Sequence, residues 1–347
     1  MSKMIDVLNS ILHTGSADYQ NYVPEATRDN LDAVASPILQ YSIVKNEFVN
    51  TLMNKIVLSV VHKKLLNNPL APLKRGQLPL GQDVEEIHVN RTTGEKYDPT
   101  GADLLTRKKP DAKVAYHRLN RQDVYQVSIS DDQLRQAFTS YEALQNFTDA
   151  IINSLYSADT DDEFILMKQL VSEAVDKGHV TEVTVPRFAD DETGEYNANV
   201  LKGITGAFRN TSTYMTFAGS DFNKYAEVNS DESPIRTRSE REDLVLIIRA
   251  DLETAMDIEV LASAFNMNKA EYLGQRVVVD NFGEDTDVVA LLCDRSFFQV
   301  YDQMRKTTDF YNPKGLYTNF FHHVWQIMSY SLMVNSAVFK MEAGETP

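Results

Sequence analysis

Five of the eleven prolines lie between residues 67 and 124, and they exclude long helices from that stretch. Between them, EEIHVNR and KVAYHRLN have the composition of short strands, and RTTGEK (Arg91 to Lys96) is typical of a hairpin turn. A loop of this length inside a compact domain is normally functional or disordered. Because it retains β character, we predict an extended β-loop over residues 67–124 that projects as a two-stranded arm.

The pattern changes after residue 130, where apolar residues begin to recur at every third or fourth position. The recurring residues are Leu134, Phe138, Tyr141, Leu144, Phe147, Ile151 and Leu155. This spacing places one apolar stripe along a helix. We therefore predict a long spine helix within residues 131–177.

Capping signals divide and end this helical region. Ser130 with Gln133, and Thr160 with Glu163, have the spacing of capping boxes, in which two side chains satisfy backbone N–H groups reciprocally. The second box predicts a break near residue 160. Gly178 is placed to end the helix in a left-handed conformation.

The two ends of the chain predict different structures. Residues 1–45 are polar with no clean period, and we expect an arm that is extended with short helical pieces. Further along, LVLIIRA, RVVVDNF and DVVALLCD are predicted strands, and RSFFQVYDQM is a predicted helix. The segment after Tyr317 predicts long strands, arranged as a hairpin that returns to the main sheet. The fold class is therefore α+β.

Composition excludes several classes of protein. Hydrophobic residues make up 43% of the chain, and no apolar run approaches the ~18 residues of a membrane span, so we expect no membrane segment and no signal peptide. The net charge of −16 argues against a protein that coats nucleic acid. Cys293 is the single cysteine, which excludes an intrachain disulfide and a cysteine metal site.

The acidity is uneven along the chain. Residues 71–124 carry ten Lys or Arg against eight Asp or Glu, whereas the rest carries 24 basic and 42 acidic residues. Within the slightly basic segment, Arg107, Lys108 and Lys109 lack the interleaved aromatic residues that stack on bases. We therefore interpret these three residues as a contact to an acidic neighbouring subunit.

Motifs for catalysis are missing from the sequence. It contains neither a glycine-rich phosphate loop nor a GxSxG nucleophile elbow. His322 and His323 are adjacent, so on a strand they face opposite sides and cannot share a metal. We predict no catalytic, cofactor-binding or metal-binding residues.

Three pairs of acidic residues leave an enzymatic alternative open. Asp131/Asp132 and Asp161/Asp162 occupy predicted helix N-termini, where negative charge complements the helix dipole. Asp190/Asp191 lies in an acidic turn that lacks the ordered spacing of a calcium loop. The alternative that these pairs support is a metal-dependent acidic α/β enzyme.

The order of these segments resembles the Hong Kong 97-type fold of tailed-phage capsid proteins. The sequence is most similar to major capsid proteins of small podoviruses of the Picovirinae type. Four stretches carry the resemblance, and they are Leu134 to Tyr156, Ala262 to Phe282, Ala290 to Met304 and Tyr311 to Phe339. They are family likeness and contain no short functional motif.

The resemblance implies a domain plan. The N-terminal arm would span 1–45 and the extended β-loop 67–124. The peripheral domain would combine 46–66, 125–197 and 318–347, and the axial domain would span 198–317. The chain is too short for the additional immunoglobulin-like domain of some relatives, so we expect none.

The resemblance also implies a function. The chain would be a structural protein of the virion, assembled in the bacterial cytoplasm into hexamers and pentamers of an icosahedral shell. Scaffolding protein and portal would be its partners, and the shell would enclose double-stranded DNA without binding a specific sequence. A shell protein of an encapsulin-like nanocompartment, which encloses an enzyme cargo, is the alternative within the same fold.

Overall fold

The computed structural model describes most of the chain. The described residues are 3–27, 30–41, 43–48, 51–52, 68–97, 99–100, 105–137, 157–189, 196–229, 233–259, 275–283 and 287–342. The chain divides into two compact units, of which the first comprises 1–68, 122–163 and 304–325 and the second comprises 69–121, 164–303 and 326–347. The finer domain boundaries given above stay a prediction.

The described helices and strands alternate in the order of an α+β protein. The helices are α1 (Lys3–Thr14), α2 (Ala17–Tyr22), α3 (Leu31–Gln40), α4 (Asp131–Ala137), α5 (Ala158–Asp176), α6 (Ala198–Met215), α7 (Tyr225–Val228) and α8 (Ala250–Glu259). The strands are β1 (Gly76–Gln77), β2 (Val84–Val89), β3 (Ala112–His117), β4 (Arg121–Ser130), β5 (Thr181–Val185), β6 (Leu244–Arg249), β7 (Gln275–Val279), β8 (Val288–Asp294), β9 (Phe298–Asn312), β10 (Tyr317–Tyr330) and β11 (Ser336–Met341).

In the first unit, the N-terminal helices pack around an apolar cluster. Ile11 of α1 and Ile38 of α3 are fully buried in it, together with Phe48. The side chain of Ser16 accepts a hydrogen bond from the backbone N–H of Tyr19 and caps α2. The predicted helical pieces are present, but burial of their apolar faces gathers them into a core where we expected an extended arm.

The capping box at the start of the spine is confirmed. The backbone N–H of Ser130 donates to Gln133 Oε1 at 3.0 Å, and that of Gln133 donates to Ser130 Oγ at 3.2 Å. Helix α4 follows directly, and the stripe from Phe138 to Leu155 lies outside the described residues.

The second capping box is wrong, because α5 begins at Ala158, ahead of Thr160. Arg305 of β9 instead bridges two acids of the first turns of α5. Its guanidinium lies 2.6 Å from Asp159 and 2.7 Å from Glu163, and both carboxylates are nearly fully buried. The first turns of α5 are therefore held to β9 by long-range ion pairs.

The C-terminus of α5 is closed as the sequence predicts. Gly178 has a φ of +65°, its N–H donates to the carbonyl of Val175, and the N–H of His179 donates to the carbonyl of Ala174. These two bonds form a Schellman motif, which requires the left-handed conformation that glycine adopts without strain.

The second unit is built on a five-stranded sheet in the order β5-β11-β8-β6-β7. Along β6, Val245 and Ile247 belong to one core cluster, and Leu244, Leu246 and Ile248 belong to another. Helix α5 contributes to the first cluster, and α6 and α8 contribute to the second. Both faces of the sheet are therefore covered, which explains why β6 reads as an uninterrupted apolar run.

Two sequence predictions about the C-terminal part are wrong. From Phe298 onward RSFFQVYDQM belongs to strand β9, because a tight turn (Phe297 N–H to Asp294 O, 2.8 Å) redirects the chain into a four-stranded sheet of order β1-β9-β10-β4. Strands β10 and β11 form no hairpin with each other, since β11 pairs with β5 and β8 in the other sheet. Distant pairing partners contributed to both outcomes, since β1 pairs with Tyr301 and Asp302 of β9, and β5 and β8 pair with β11.

Within the described part of the chain, no helix has the length and apolar character needed to cross a membrane.

A matched pair of glycine substitutions tests the helix-end assignment. Gly178→Ala should lower the free energy of unfolding by about 1 kcal/mol, because alanine is strained at positive φ. Gly203→Ala, in the exposed interior of α6 where an added Cβ meets nothing within 4 Å, should raise it by roughly 0.5–1 kcal/mol. Thermal and denaturant unfolding of the unassembled subunit measure both; shifts of the same sign would contradict the assignment.

Candidate intersubunit contact surface

Strands β2 and β3 form an antiparallel hairpin in the second unit. Val84 pairs with His117 at one end of the hairpin and Val89 with Ala112 at the other. The predicted strands are confirmed, but the RTTGEK turn does not join them, because β2 ends at Val89 and β3 begins only at Ala112. The sequence pattern therefore predicted the two strands correctly but placed the turn between them too close to β2.

The hairpin turns its apolar side chains toward solvent. Ile87, Val89, Val114 and Tyr116 point to one side, and they are 58%, 55%, 39% and 60% exposed. We call these four residues the outer face. Their alternation with the more buried neighbours in each strand follows the two-residue period of a sheet.

The opposite side of the hairpin is polar and turned toward the body of the second unit. His117 Nε2 lies 3.1 Å from Glu86 Oε2, and His117 Nδ1 lies 2.8 Å from Ser329 Oγ. Ser331 Oγ donates to Glu86 Oε1 at 2.7 Å. We call these four residues the clamp. Because each polar group of the clamp has a partner, the polar side can be buried without a large desolvation penalty.

The end of the hairpin near the long connection is fixed by a second set of hydrogen bonds. Asp111 accepts from Asn90 at 2.8 Å and from Ser233 Oγ at 2.6 Å, and it pairs with Lys113 at 2.9 Å. These donors, Asn90 first and then Ser233 and Lys113, hold the pKa of Asp111 well below its usual range. The carboxylate is therefore ionised at neutral pH and keeps this contact in place.

Both ends of the loop segment are tied to the strands beneath it. At the entry, Lys74 Nζ bonds both carboxylate oxygens of Asp302, at 3.0 and 2.9 Å. At the exit, Arg121 donates to the fully buried Gln326, which in turn donates to the same Asp302. The segment that begins at Lys74 and ends at Arg121 therefore has one shared anchor.

The basic run lies on the long connection and is exposed. Arg107, Lys108 and Lys109 all face solvent, and Lys108 forms an ion pair with the exposed Glu95. On the same connection, Tyr97 is 90% exposed and Leu105 is 94% exposed. An exposed surface that combines apolar side chains with positive charge is the composition expected of a protein contact.

Other candidate residues fall into structural roles. Asp131 and Asp132 lie in the first turn of α4, and Asp161 in that of α5, as predicted. Asp190 and Asp191 lie outside the described residues. Among the described residues there is no group of three or more His, Cys, Asp or Glu side chains that could hold a metal.

The histidine pair and the single cysteine also lie in ordinary structural surroundings. Thr307 Oγ1 lies 3.3 Å from His322 Nδ1 and Thr308 Oγ1 lies 3.3 Å from His323 Nε2, so the two rings have different neighbours. Cys293 is completely buried, and burial raises the pKa of its thiol. A thiol of this kind is not a nucleophile.

Comparison with known proteins identifies the family of the chain. The model of the family described as Phi29-like phage major capsid protein matches residues 8–340. The chain belongs to that family. The major capsid protein of Bacillus phage PZA is 37% identical over the whole of this chain and 75% of its own length. That of Streptococcus phage Cp-1 is 30% identical over 95% of this chain and 92% of its own length.

A solved structure supports the fold independently. The capsid of Staphylococcus phage Andhra has a TM-score of 0.64, at 12% sequence identity, over 81% of this chain and 86% of its own. The predictions of a Hong Kong 97-type fold and of a phage major capsid protein are confirmed, and the family match favours them over the nanocompartment alternative. The relatives are named as capsid proteins, which assigns this chain to the structural proteins of the virion.

The outer face was missed by sequence reasoning, although a signal for it existed. Apolar Ile87 and Val89 alternate with polar Glu86 and His88, which indicates two different faces. The usual assumption puts the apolar face in the core. In this hairpin the polar face is the one turned inward. The hydrogen bonds of Glu86 and His117 to Ser331 and Ser329 show this, and the sequence alone does not.

Replacing the shared anchor tests how the loop is held. Asp302→Ala removes the acceptor for Lys74 and Gln326, and should cost about 2–3 kcal/mol in the stability of the second unit. It should also speed protease cleavage within residues 78–111. Asp309→Ala, on the exposed part of β9, is the control. Equal cleavage of the two variants would contradict the anchor.

Proposed function

We propose that this chain assembles into hexamers and pentamers of an icosahedral shell that encloses double-stranded DNA. The observation that carries the proposal is the reversed hairpin, whose polar side is satisfied within the subunit while its apolar outer face is exposed. An apolar face held rigidly toward solvent gains stability when a second copy covers it. A capsid subunit, present in many copies, supplies that partner.

The basic run adds an electrostatic component to the same contact. Arg107, Lys108 and Lys109 lie on a locally basic loop, whereas the remainder of the chain is strongly acidic. A basic loop placed against the acidic body of an adjacent copy lowers the repulsion between subunits that each carry a charge of −16. The three residues therefore act in assembly in this proposal.

The same acidity bears on the contents of the shell. DNA and an acidic inner wall repel each other, so the packaged DNA need not adhere to the wall and no base sequence is read. We infer that the chain has a structural role without catalysis, that it assembles in the host cytoplasm, and that scaffolding protein and portal take part. The family match supports these inferences through its capsid relatives.

Electron microscopy of the purified chain, alone and with scaffolding protein from the same phage, tests the proposal. Closed shells or hexamer-sized rings are expected. Shells filled with double-stranded DNA in a lysate would support a phage head, and a protein cargo would support the nanocompartment. Subunits that stay monomeric even with scaffolding protein would overturn the proposal.

Charge reversal tests the basic run. Changing Arg107, Lys108 and Lys109 together to Glu should reduce the yield of shells at least tenfold, while the circular dichroism of the free subunit stays unchanged because all three side chains are exposed. The same reversal at Lys202, Arg238 and Arg241, which are also exposed, is the matched control for net charge. Normal shells from the first variant would contradict the role of the run.

A further inference from the structure

A groove lies beside strand β3 within the second unit. Its volume is about 480 Å³, and it opens to solvent. Apolar side chains from the hairpin, α5, α7, the end of β10 and the segment after it line much of it, and they include Val114, Tyr116, Leu170, Val228, Met328 and Leu332. Val114 and Tyr116 belong to the outer face as well, so the groove continues the surface proposed for intersubunit contact.

The strand that borders the groove has an open edge. Among the described residues, β3 pairs only with β2. The N–H of Asn90 donates to the carbonyl of Asp111, and hydrogen-bonded pairs alternate along an antiparallel hairpin. The backbone groups of Val114 and Tyr116 therefore point away from β2. An unpaired edge next to an apolar groove is the arrangement that accepts an extended peptide as an added strand.

The polar groups around the groove favour a basic guest over an acidic one. Glu173 lines it, Glu227 adjoins its lining residue Val228, and Glu85 accepts from the hydroxyl of Tyr116 at 3.1 Å. His179 also lines the groove, and burial, followed by the charge of Lys177, lowers its pKa, so the ring is neutral at pH 7. Lys177 and Lys224 are paired with Glu173 and Glu227, which leaves one carboxylate in excess among these groups.

The chain itself carries a segment that fits. Residues 105–110 (LTRKKP) contain no helix or strand, and every one of them is exposed. Leu105 is an apolar side chain with almost no contact in its own subunit, since it is 94% exposed. Arg107 and Lys109 follow it at the alternate spacing of a strand. The segment thus combines an apolar anchor, a backbone that belongs to neither helix nor strand, and positive charge.

We propose that residues 105–109 of one copy bind in this groove on a neighbouring copy, paired with the open edge of β3. Leu105 enters the apolar part near Val228, and the basic side chains lie toward Glu85, the carboxylate in excess beside Tyr116. This proposal rests on the proposed function, because it names the receiving site for the basic run. The contact is then head-to-tail, because each copy inserts its segment into one neighbour and receives a segment from the other. Such contacts can close into a ring.

Disulfide trapping in assembled shells tests the pairing. The variant Leu105→Cys with Val228→Cys should yield covalent oligomers on a non-reducing gel after mild oxidation, in a ladder that reaches at least six copies. The native Cys293 does not interfere, because it is completely buried. The variant Leu105→Cys with Tyr116→Cys probes a second position in the groove. It provides the same test if the first variant does not fold.

The matched control is Leu105→Cys with Tyr214→Cys, because Tyr214 is 66% exposed on α6 and does not line the groove. Each single-cysteine variant should stay monomeric on the gel. Shells without a ladder from either groove variant, or a ladder of equal strength from the control, would overturn the groove assignment and leave the shell function intact. Failure of the wild-type chain to assemble with scaffolding protein would instead overturn the proposed function.

Discussion

The proposed intersubunit surface depends on the clamp formed by Glu86, His117, Ser329 and Ser331. It satisfies the polar side of the β2–β3 hairpin inside the second unit, and so fixes which side faces outward. If those groups lacked partners, burial of the apolar side would be the more stable arrangement. Hydrogen bonds within the subunit therefore expose an apolar face that a solitary protein would hide. The shared anchor at Asp302 holds the base of the same segment, so its position is defined before another copy arrives.

Electrostatic and apolar contributions have different tasks in this account. The net charge of −16 keeps free subunits apart, and the locally basic loop offsets that repulsion only in the orientation that brings it onto an acidic neighbour. The outer face and Leu105 then stabilise the contact by burying apolar surface, and this hydrophobic interaction is not directional. In this proposal, charge sets the orientation of neighbouring subunits, and buried apolar surface holds them together. Many copies of this modest contact then close the shell.

Sequence reasoning succeeded where the determinants are local. The Ser130–Gln133 box, the Schellman motif at Gly178 and the strands β2 and β3 rest on neighbouring residues, and all were predicted. It failed where distant partners decide the outcome. The first part of strand β9 was predicted as a helix, since its pairing with the distant β1 is invisible locally. Helix α5 begins at Ala158, beside the Asp159 that pairs with Arg305, and not at Asp161. The contact role of the basic run stays a prediction made from charge, whereas the outer face required knowledge of which side Ser329 and Ser331 occupy.

Hydroxyl-radical footprinting of the free subunit and of the assembled shell tests the central claim most directly. Tyr116 is the best reporter, because it is reactive, 60% exposed and part of the outer face. Tyr19, which is 2% exposed in the N-terminal core, reports on unfolding in both states. The account predicts strong labelling of Tyr116 in the free subunit and at least a fivefold loss in the shell, with Tyr19 unlabelled throughout. Equal labelling of Tyr116 in both states would contradict it, because the outer face would then not be a contact between copies.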